Sequence, residues 1–185
     1  MRNTLRRIAF GVLASGMVAT MALGATTTAA SASVAAPSTV TAAQHHPGLI
    51  WPVVKKGDRG PRVVKIQYLL NQHRIHVKVD GKFGHGTEIA VKLFQKRHHI
   101  FPSGVVSAKT WEKLIVTVRK GSRGPAVSAV QFELRFVYGY KFVVVDGKFG
   151  QQTEWAVKLF QKRFHLHPDG VVGARTWNAL VIHEH

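Results

Sequence analysis

Cysteine is absent from the 185-residue chain. Its absence excludes disulfide bonds, cysteine-ligated zinc and a cysteine nucleophile. Acidic residues are also scarce, because 9 Asp and Glu stand against 26 Lys and Arg and leave a formal net charge of +17. A balance this basic favours an anionic partner or an anionic surface. The length suffices for one ordinary domain or for two very small ones.

The first 32 residues have the pattern of a secretory signal peptide. A basic start, MRNTLRR, precedes an apolar run over 8–25, and a small-residue site follows at Ala30-Ser31-Ala32. The run is long enough to raise a transmembrane anchor as the alternative, but Gly, Ser, Thr and Ala dilute it and no basic flank follows. We therefore predict cleavage near Ala32, no stable membrane insertion afterwards, and a secreted protein that is extracellular or associated with the cell wall.

Residues 33–53 are predicted to be a disordered leader. The stretch 33–48 is rich in Ala, Ser, Thr and Pro and has no Lys, Arg, Asp or Glu, a composition that cannot bury a core. The apolar stretch LIWPVV at 49–54 is expected to dock on the first folded unit.

The rest of the chain is duplicated. DGKFGHGTEIAVKLFQKR at 80–97 recurs as DGKFGQQTEWAVKLFQKR at 146–163, with fifteen of the eighteen positions identical. The flanking sequences also repeat, and the second copy carries two extra residues around 136–142. The repeat predicts two units, 54–116 and 117–182. The linker between them is so short that the units are expected to sit against each other.

Apolar residues at helical spacing predict three helices in each unit, at 61–72, 85–97 and 107–115 in the first. The expected buried faces of the first two helices comprise Val63, Ile66, Leu69, Leu70, Ala90, Leu93 and Phe94. Short extended pieces are expected at VKVDG and VVVDG. The predicted fold class is all-α, with two tandem three-helix units.

A frame of Asp-Gly-x-apolar-Gly-x-x-Thr precedes the later helices of each unit. Asp accepts backbone hydrogen bonds in a tight turn, and Gly supplies a backbone angle that other residues avoid. One copy departs from the frame, because Ser103 and Ser107 replace the Asp and the second Gly. This departure predicts an altered turn and a weaker contribution of the first unit to binding.

The ordered series G-x-x-G-x-x-V-x-x-x-Q, D-G-x-F-G-x-x-T-x-x-A-V-x-x-F-Q and D-G-V-x-G-x-x-T-W-x-x-L resembles the three-helix bacterial peptidoglycan-binding domain. The resemblance covers two copies, over about 54–181. It implies an all-helical fold and non-covalent binding to peptidoglycan, and by itself it implies no catalysis. Because such modules usually accompany cell-wall hydrolase domains, a role as an accessory or regulatory subunit of a hydrolase stays open.

The predicted ligand-binding residues follow from the chemistry of the wall polymer. Backbone N–H groups at glycine-led helix starts suit the carboxylates of its peptides, and tyrosines in the extra loop could stack on sugar. The predicted set is Asp80, Gly81, Gly84, Thr87, Asp146, Gly147, Gly150, Thr153, Asp169, Gly170, Gly173, Thr176, Tyr138 and Tyr140. The alternative is that these residues only build the turns and a packed hairpin.

No catalytic residue, metal site or cofactor is predicted. Residues 33–53 and 182–185 leave no room for a hydrolase domain. The histidine clusters at 98–99, 165–167 and 183–185 are not reproduced between the units and are interpreted as solvated. Glu88 and Glu154 could be imagined as a glycosidase pair, but each has a lysine four residues later and is expected to form a surface ion pair.

The prediction for the whole chain is a secreted, non-catalytic protein that binds peptidoglycan through two repeated modules. The alternative is a cationic binder of anionic wall polymers, which the net charge supports. Nucleic acid is not the expected partner, because the basic residues are spread along the helices without an arginine-rich arm or a recognition motif.

Overall fold

The computed structural model describes residues 48–183, so the predicted signal peptide and all but the end of the predicted leader lie outside the described residues. Within this range there are six α-helices in two sets of three. They are α1 Pro61–Gln72, α2 His85–Arg97, α3 Ala108–Leu114, α4 Pro125–Phe132, α5 Gln151–Arg163 and α6 Ala174–Ile182. A π-helical turn at Glu133–Val137 extends α4. The predicted all-α fold of two three-helix units is confirmed.

The starts of the helices follow from local chemistry. Pro61 and Pro125 begin α1 and α4, where the missing N–H of proline leaves no helical hydrogen bond unmade. Gly60 and Gly124 precede them with φ of 106° and 111°, in the left-handed region that favours glycine. The bounds predicted for α1 and α2 are those observed, and the stretch predicted at 107–115 contains α3.

One apolar core runs through both units, and each unit contributes three large aromatic side chains to it. Phe83, Phe94 and Trp111 are fully buried in the first unit, and their equivalents fill the second. The predicted buried face of α1 is confirmed. For α2, Leu93 was predicted to be buried, but its side chain is 40% exposed. Val91 takes that place in the core because the buried face of this helix turns through 90, 91 and 94.

The extended pieces expected at VKVDG and VVVDG do not become strands within residues 48–183. Instead, single antiparallel bridges fasten the loops. These bridges join Val54 to Val106, Arg59 to Lys82, Val118 to Val172, and Arg123 to Lys148. Each unit therefore repeats the same two fastenings, one beside the Asp-Gly turn and one that ties the start of the unit to its last loop.

The two units form one body, as the short linker predicted. Lys65 of α1 and Glu133 of the π-helical turn are both fully buried, with Nζ and Oε2 at 2.9 Å. Lys65 Nζ also donates to the carbonyl of Leu180 at 2.8 Å, and Arg62 Nε donates to the carbonyl of Val181 at 2.9 Å. A buried ion pair offsets the cost of leaving water only when its two charged groups are held close together. These contacts therefore hold the two units in a defined orientation.

The apolar stretch after residue 48 docks as predicted and reaches both units. Trp51 stacks on Trp111 with ring centroids 5.7 Å apart, and Trp111 Nε1 donates to the carbonyl of Pro52 at 2.8 Å. Asn178 of the second unit donates to the carbonyl of Ile50 at 2.7 Å. The stretch therefore acts as a strap across the two units.

No helix within residues 48–183 has both the length and the apolar character that a bilayer crossing needs. The longest helices, α2 and α5, have 13 residues each, against the roughly 20 apolar residues of a membrane-spanning helix.

Candidate functional site

Four buried glutamines organise the four turns in which most of the predicted ligand-binding residues lie. Gln67, Gln95, Gln131 and Gln161 each sit on the helix that precedes a turn. The side-chain oxygen of each accepts a hydrogen bond from the N–H of the turn glycine, at 2.8–2.9 Å. Its nitrogen donates to the first side chain of the turn and to the threonine of the next helix. One amide thus joins one helix to the start of the next.

The predicted aspartates are part of this network. Asp80 Oδ1 accepts from Gln67 Nε2 and from the N–H of Lys82, both at 2.9 Å. These two donors, the glutamine first, lower the pKa of the Asp80 carboxyl. Asp146 has the same arrangement, and the N–H of Lys148 is the largest cause of its lowered pKa. Each carboxylate is therefore engaged in building its own turn.

The predicted threonines and glycines also serve the turns. The hydroxyl groups of Thr87, Thr153 and Thr176 accept from the glutamines, and their side chains are buried. Six glycines divide into two roles. Gly81, Gly147 and Gly170 have φ of 68–77°, and Gly84, Gly150 and Gly173 are the N-caps of α2, α5 and α6. The side chains of these residues therefore stabilise the turns through hydrogen bonds or backbone conformation.

The turn with two serines keeps its shape, so the predicted alteration was wrong. Gly104 has a φ of 76°, against 77° at Gly170. Ser103 Oγ takes the two hydrogen bonds of the missing carboxylate, from Gln95 Nε2 at 3.3 Å and from the N–H of Val105 at 3.2 Å. Ser107 is the N-cap of α3 with extended backbone like that of Gly173. A hydroxyl one atom shorter than a carboxylate satisfies the same donors through longer bonds.

Two grooves run along the contact between the units. The larger, of about 900 Å³, lies between residues within 112–117 and residues within 165–177, with Trp51 in its wall; we call it the inter-unit groove. It contains Asp169, Gly173 and Thr176 of the predicted set, together with Arg175, His165 and His167. Sequence reasoning interpreted His165 and His167 as solvated and gave Arg175 no role, because only the packing of the two units brings these residues beside the linker.

A smaller groove of about 420 Å³ contains another part of the predicted set. Asp146 and Gly147 line it opposite Tyr68, Asn71 and His76 of the first unit. Asp80, Gly81, Gly84 and Thr87 line neither groove, nor do Gly150 and Thr153. The predicted residues are therefore distributed over several places and do not converge on one site.

The two predicted tyrosines have different surroundings. Tyr138 is only 8% exposed, and its ring packs edge-on against Phe160 and Phe164. Its hydroxyl donates to the carbonyl of His183 at 3.0 Å. Tyr138 therefore anchors the extra loop in the core and offers no face to a sugar. Tyr140 is partly exposed and stands beside Phe142, with centroids 6.0 Å apart.

The two glutamates that sequence reasoning paired with lysines are confirmed as ion pairs. Glu88 contacts Lys92 at 2.8 Å and Lys56 at 3.2 Å. Hydrogen bonds from these lysines, Lys92 first, lower the pKa of Glu88 to about 2. Glu154 has the equivalent contacts with Lys158 and Lys120, and its pKa is also lowered. A general acid needs a raised pKa, so neither carboxyl has the properties of one.

His85 Nδ1 lies 3.7 Å from Glu88 Oε2, but such a pair alone does not make a metal site. Within residues 48–183, no three side chains of His, Asp or Glu lie close enough together to hold a metal ion. His73 and His98 do meet, with ring centroids 5.5 Å apart, beside Phe94. His73 Nε2 is 2.9 Å from the carbonyl of Leu114. Burial is the main cause of the lowered pKa of His98, followed by the positive charge of His73 and Lys113.

The chain is similar in sequence to parts of two curated proteins. The chain is 39% identical over 64 residues to the spore cortex-lytic enzyme of Bacillus cereus, covering 35% of this chain and 24% of that protein. It is 37% identical over 68 residues to the zinc D-Ala-D-Ala carboxypeptidase of Streptomyces albus G, covering 35% and 26%. The chain therefore spans about a quarter of the length of these curated relatives.

Among solved structures, the crystal structure of the SleB N-terminal domain is 38% identical, with a TM-score of 0.34, and the match covers 36% of this chain and 89% of that one. The peptidoglycan binding domain family matches twice, at residues 59–114 and 123–180. These two segments are the two three-helix units, and together they make up more than half of the chain. The chain belongs to the peptidoglycan binding domain family, in two copies.

Proposed function

We propose that this chain is a secreted, non-catalytic protein that binds peptidoglycan, and that the inter-unit groove receives the ligand. The observation that carries the proposal is the position of this groove. It lies where two family domains meet, and both contribute walls. A groove of this size fits a short peptide or a few sugar rings.

The chemistry of the inter-unit groove suits the peptides of the wall polymer. α6 begins at its floor with Gly173 as the N-cap, and no side chain caps the first turn. Arg175, in that first turn, is exposed on the groove wall. Free backbone N–H groups and a guanidinium together favour a carboxylate. Peptide stems of peptidoglycan end in carboxylates, so we assign this end of the groove to a stem peptide.

The non-catalytic part of the proposal is supported by what the carboxyl groups do. Glu88 and Glu154 are each held by two lysines, and Asp80 and Asp146 are held by their turns. These groups stabilise the fold and have lowered pKa values. An accessory role beside a cell-wall hydrolase is compatible with the same binding surface.

A second candidate is binding to anionic wall polymers through charge alone. The net charge of +17 favours it. Such binding weakens steeply as salt is added, because counterions compete for the same charges. Salt dependence therefore distinguishes the two candidates.

The test is sedimentation of the mature chain with purified peptidoglycan freed of teichoic acid. We expect the chain to pellet and to stay bound in salt that strips it from an anionic polymer. Arg175→Ala should weaken binding about tenfold, the effect of losing one hydrogen-bonded charge. Lys109→Ala is the matched control, because Lys109 occupies the same position on α3 and does not line the groove.

Two results would contradict this proposal. Pelleting only with anionic polymers, with full release in moderate salt, would leave charge as the sole attraction. Release of reducing sugars or free amines into the supernatant during the same incubation would contradict the non-catalytic role.

A further inference from the structure

The second unit carries an aromatic surface that the first unit lacks. Trp155 of α5 is 55% exposed and Phe142 is 37% exposed, with ring centroids 4.8 Å apart. Tyr140 continues the row at 6.0 Å from Phe142, with the two rings 27° from parallel. We call these three residues the aromatic platform. Clustered exposed rings are uncommon on a surface that has no partner.

The platform depends on the two extra residues of the second repeat. Trp155 stands where the first unit has Ile89, at the offset of 66 that relates the repeats after the insertion, whereas Tyr140 and Phe142 belong to the segment that contains the insertion. The extra residues fall in the segment that holds the π-helical turn Glu133–Val137. Insertions of this kind produce π-helical turns, and such turns are frequent at functional sites.

The loop that carries the platform is fastened on its inner side. Arg135 Nη1 donates to the carbonyl of Lys141 at 2.6 Å and to that of Val143 at 2.7 Å. Tyr138 is buried below, and Val143 is fully buried beside it. Phe142 is therefore exposed and Tyr140 half-buried on a loop whose ends are tied, so little conformational entropy remains to be lost on binding.

The geometry points to a sugar chain as the occupant, and we propose that the aromatic platform binds the glycan strand of peptidoglycan. A pyranose ring has a flat C–H face that packs on an aromatic ring. The two steps along the row, 6.0 and 4.8 Å, are comparable to the advance from one sugar to the next in a β-linked glycan. A row of three rings therefore matches a run of consecutive sugars.

The surroundings of the platform favour a glycan over an apolar protein partner. Gln151 and Gln152 are exposed one turn before Trp155 on the same helix, and Lys141 is exposed between Tyr140 and Phe142. Amides and ammonium groups bond the hydroxyl, acetamido and carboxylate groups at the edges of the sugars. Three side chains are far fewer than the roughly 20–30 residues that each side of a stable protein interface contributes. Rings framed by polar groups are the usual composition of a small polar-ligand site.

This inference rests on the proposed function, because the glycan is taken to be that of the wall. It adds a second contact, since the inter-unit groove is assigned to the stem peptide and the aromatic platform to the sugar backbone. The two contacts differ in chemistry, so they can be tested separately with one ligand that has sugars only and one that has both.

The experiment uses the mature full chain and tryptophan fluorescence. Trp155 is the one exposed tryptophan of the four, because Trp51, Trp111 and Trp177 are buried. Titration with oligomers of N-acetylglucosamine, which contain no peptide, should shift the emission to shorter wavelength and protect it from iodide quenching. Titration with glycan strands stripped of stem peptides should give the same response.

Trp155→Ile places the first unit's residue at position 155, so the fold should tolerate it. We expect this variant to lose the fluorescence response. Calorimetry should show that it binds the oligomers about tenfold more weakly than the wild type does. Tyr140→Ala should weaken binding of the oligomers by a similar factor, and it retains Trp155 as the fluorescent reporter. Phe136→Ala is the control, because Phe136 is an exposed ring beside Phe132, outside the aromatic platform.

Each outcome separates this inference from the proposed function. If Trp155→Ile and Tyr140→Ala bind oligomers and stripped strands as the wild type does, the platform assignment is overturned while peptidoglycan binding stands. If the oligomers bind but whole peptidoglycan does not pellet the chain, the proposed function fails and a free glycan becomes the ligand. If Trp155→Ile instead abolishes self-association of the chain, the platform is an interface between copies and the inference is wrong.

Discussion

His98 and Phe164 occupy equivalent places after α2 and α5, each against the phenylalanine four residues earlier. The ring centroids lie 4.3 Å apart for Phe94 and His98 and 4.6 Å apart for Phe160 and Phe164. The same surroundings therefore hold a neutral ring in one unit and a titratable ring in the other. Burial lowers the pKa of His98, and the positive groups that face it, His73, Lys113, His99 and Arg97, lower it further.

The lowered pKa of His98 predicts a loss of stability in mild acid. In the unfolded chain His98 titrates near 6.5, so below that pH the unfolded state binds the proton more readily than the folded state. The free energy of unfolding is therefore highest above about pH 6.5 and decreases as the pH falls. His98→Phe, which copies the second unit, should flatten the dependence of unfolding free energy on pH between about 5.5 and 7.5.

Urea denaturation across that range measures this prediction. His76→Phe is the control, because it is the same substitution at an exposed position and should leave the slope unchanged. An unaltered slope in the His98 variant would mean that another group is responsible for any acid sensitivity.

At the scale of elements, one arrangement occurs four times: a buried glutamine on one helix binds the turn that leads to the next helix. Only one of the four uses serine in place of aspartate. Asp169 accepts from Gln161 at 2.7 Å and from the N–H of Val171 at 2.8 Å. Ser103 accepts the corresponding bonds at 3.3 and 3.2 Å. The backbone is the same, so the difference lies in the strength of the bonds.

Reciprocal exchange of these two residues should move stability in opposite directions. Ser103→Asp replaces two long neutral bonds by shorter charge-assisted ones and should raise the free energy of unfolding by about 1 kcal/mol. Asp169→Ser should lower it by a similar amount. Thermal and urea denaturation of the two single variants and the double variant give the answer. Destabilisation by Ser103→Asp would show that this turn has no room for a carboxylate.

At the scale of the whole molecule, the two repeats pack into one body. Lys65 has no counterpart in the second repeat, where Ala129 stands in its place. The buried pair of Lys65 and Glu133 joins the units, and so does the strap, through the hydrogen bond from Asn178 to the carbonyl of Ile50. Separating the units into two fragments would expose the charges of Lys65 and Glu133 to water. Comparison of the two binding units therefore requires point variants in the full chain, because separated fragments would differ in stability as well as in affinity.

The buried pair predicts a strongly asymmetric mutational response. Lys65→Met leaves Glu133 without its ammonium in a water-free site and should cost about 3–5 kcal/mol. The double variant Lys65→Met with Glu133→Leu should recover most of that loss, because packed apolar side chains replace a buried ion pair at little cost. Urea denaturation followed by circular dichroism measures both variants, with exposed Lys113→Met as the control. Equal midpoints for Lys65→Met and the wild type would contradict the role of this contact.

Local sequence determined most of the secondary structure of the described residues. Repeated spacing of apolar residues set the helices, and proline and glycine set their starts, because backbone preferences act within a few residues. The ion pairs of Glu88 and Glu154 followed from the same short range. Family membership also followed from the sequence, since the turn frame and the helices recur in order.

Tertiary structure decided what distant residues do to one another. The four glutamines looked like ordinary polar positions, and only the fold brings each beside the glycine and threonine that it joins. For Tyr138 the sequence left sugar stacking and a packed hairpin open, and packing decided for the core, while on α2 Val91 is buried and Leu93 is exposed. Trp155 and Phe142 are thirteen residues apart in sequence, and no periodic pattern links them. Long-range contacts depend on how the helices pack, which is why the inter-unit groove and the aromatic platform could not be found from spacing alone.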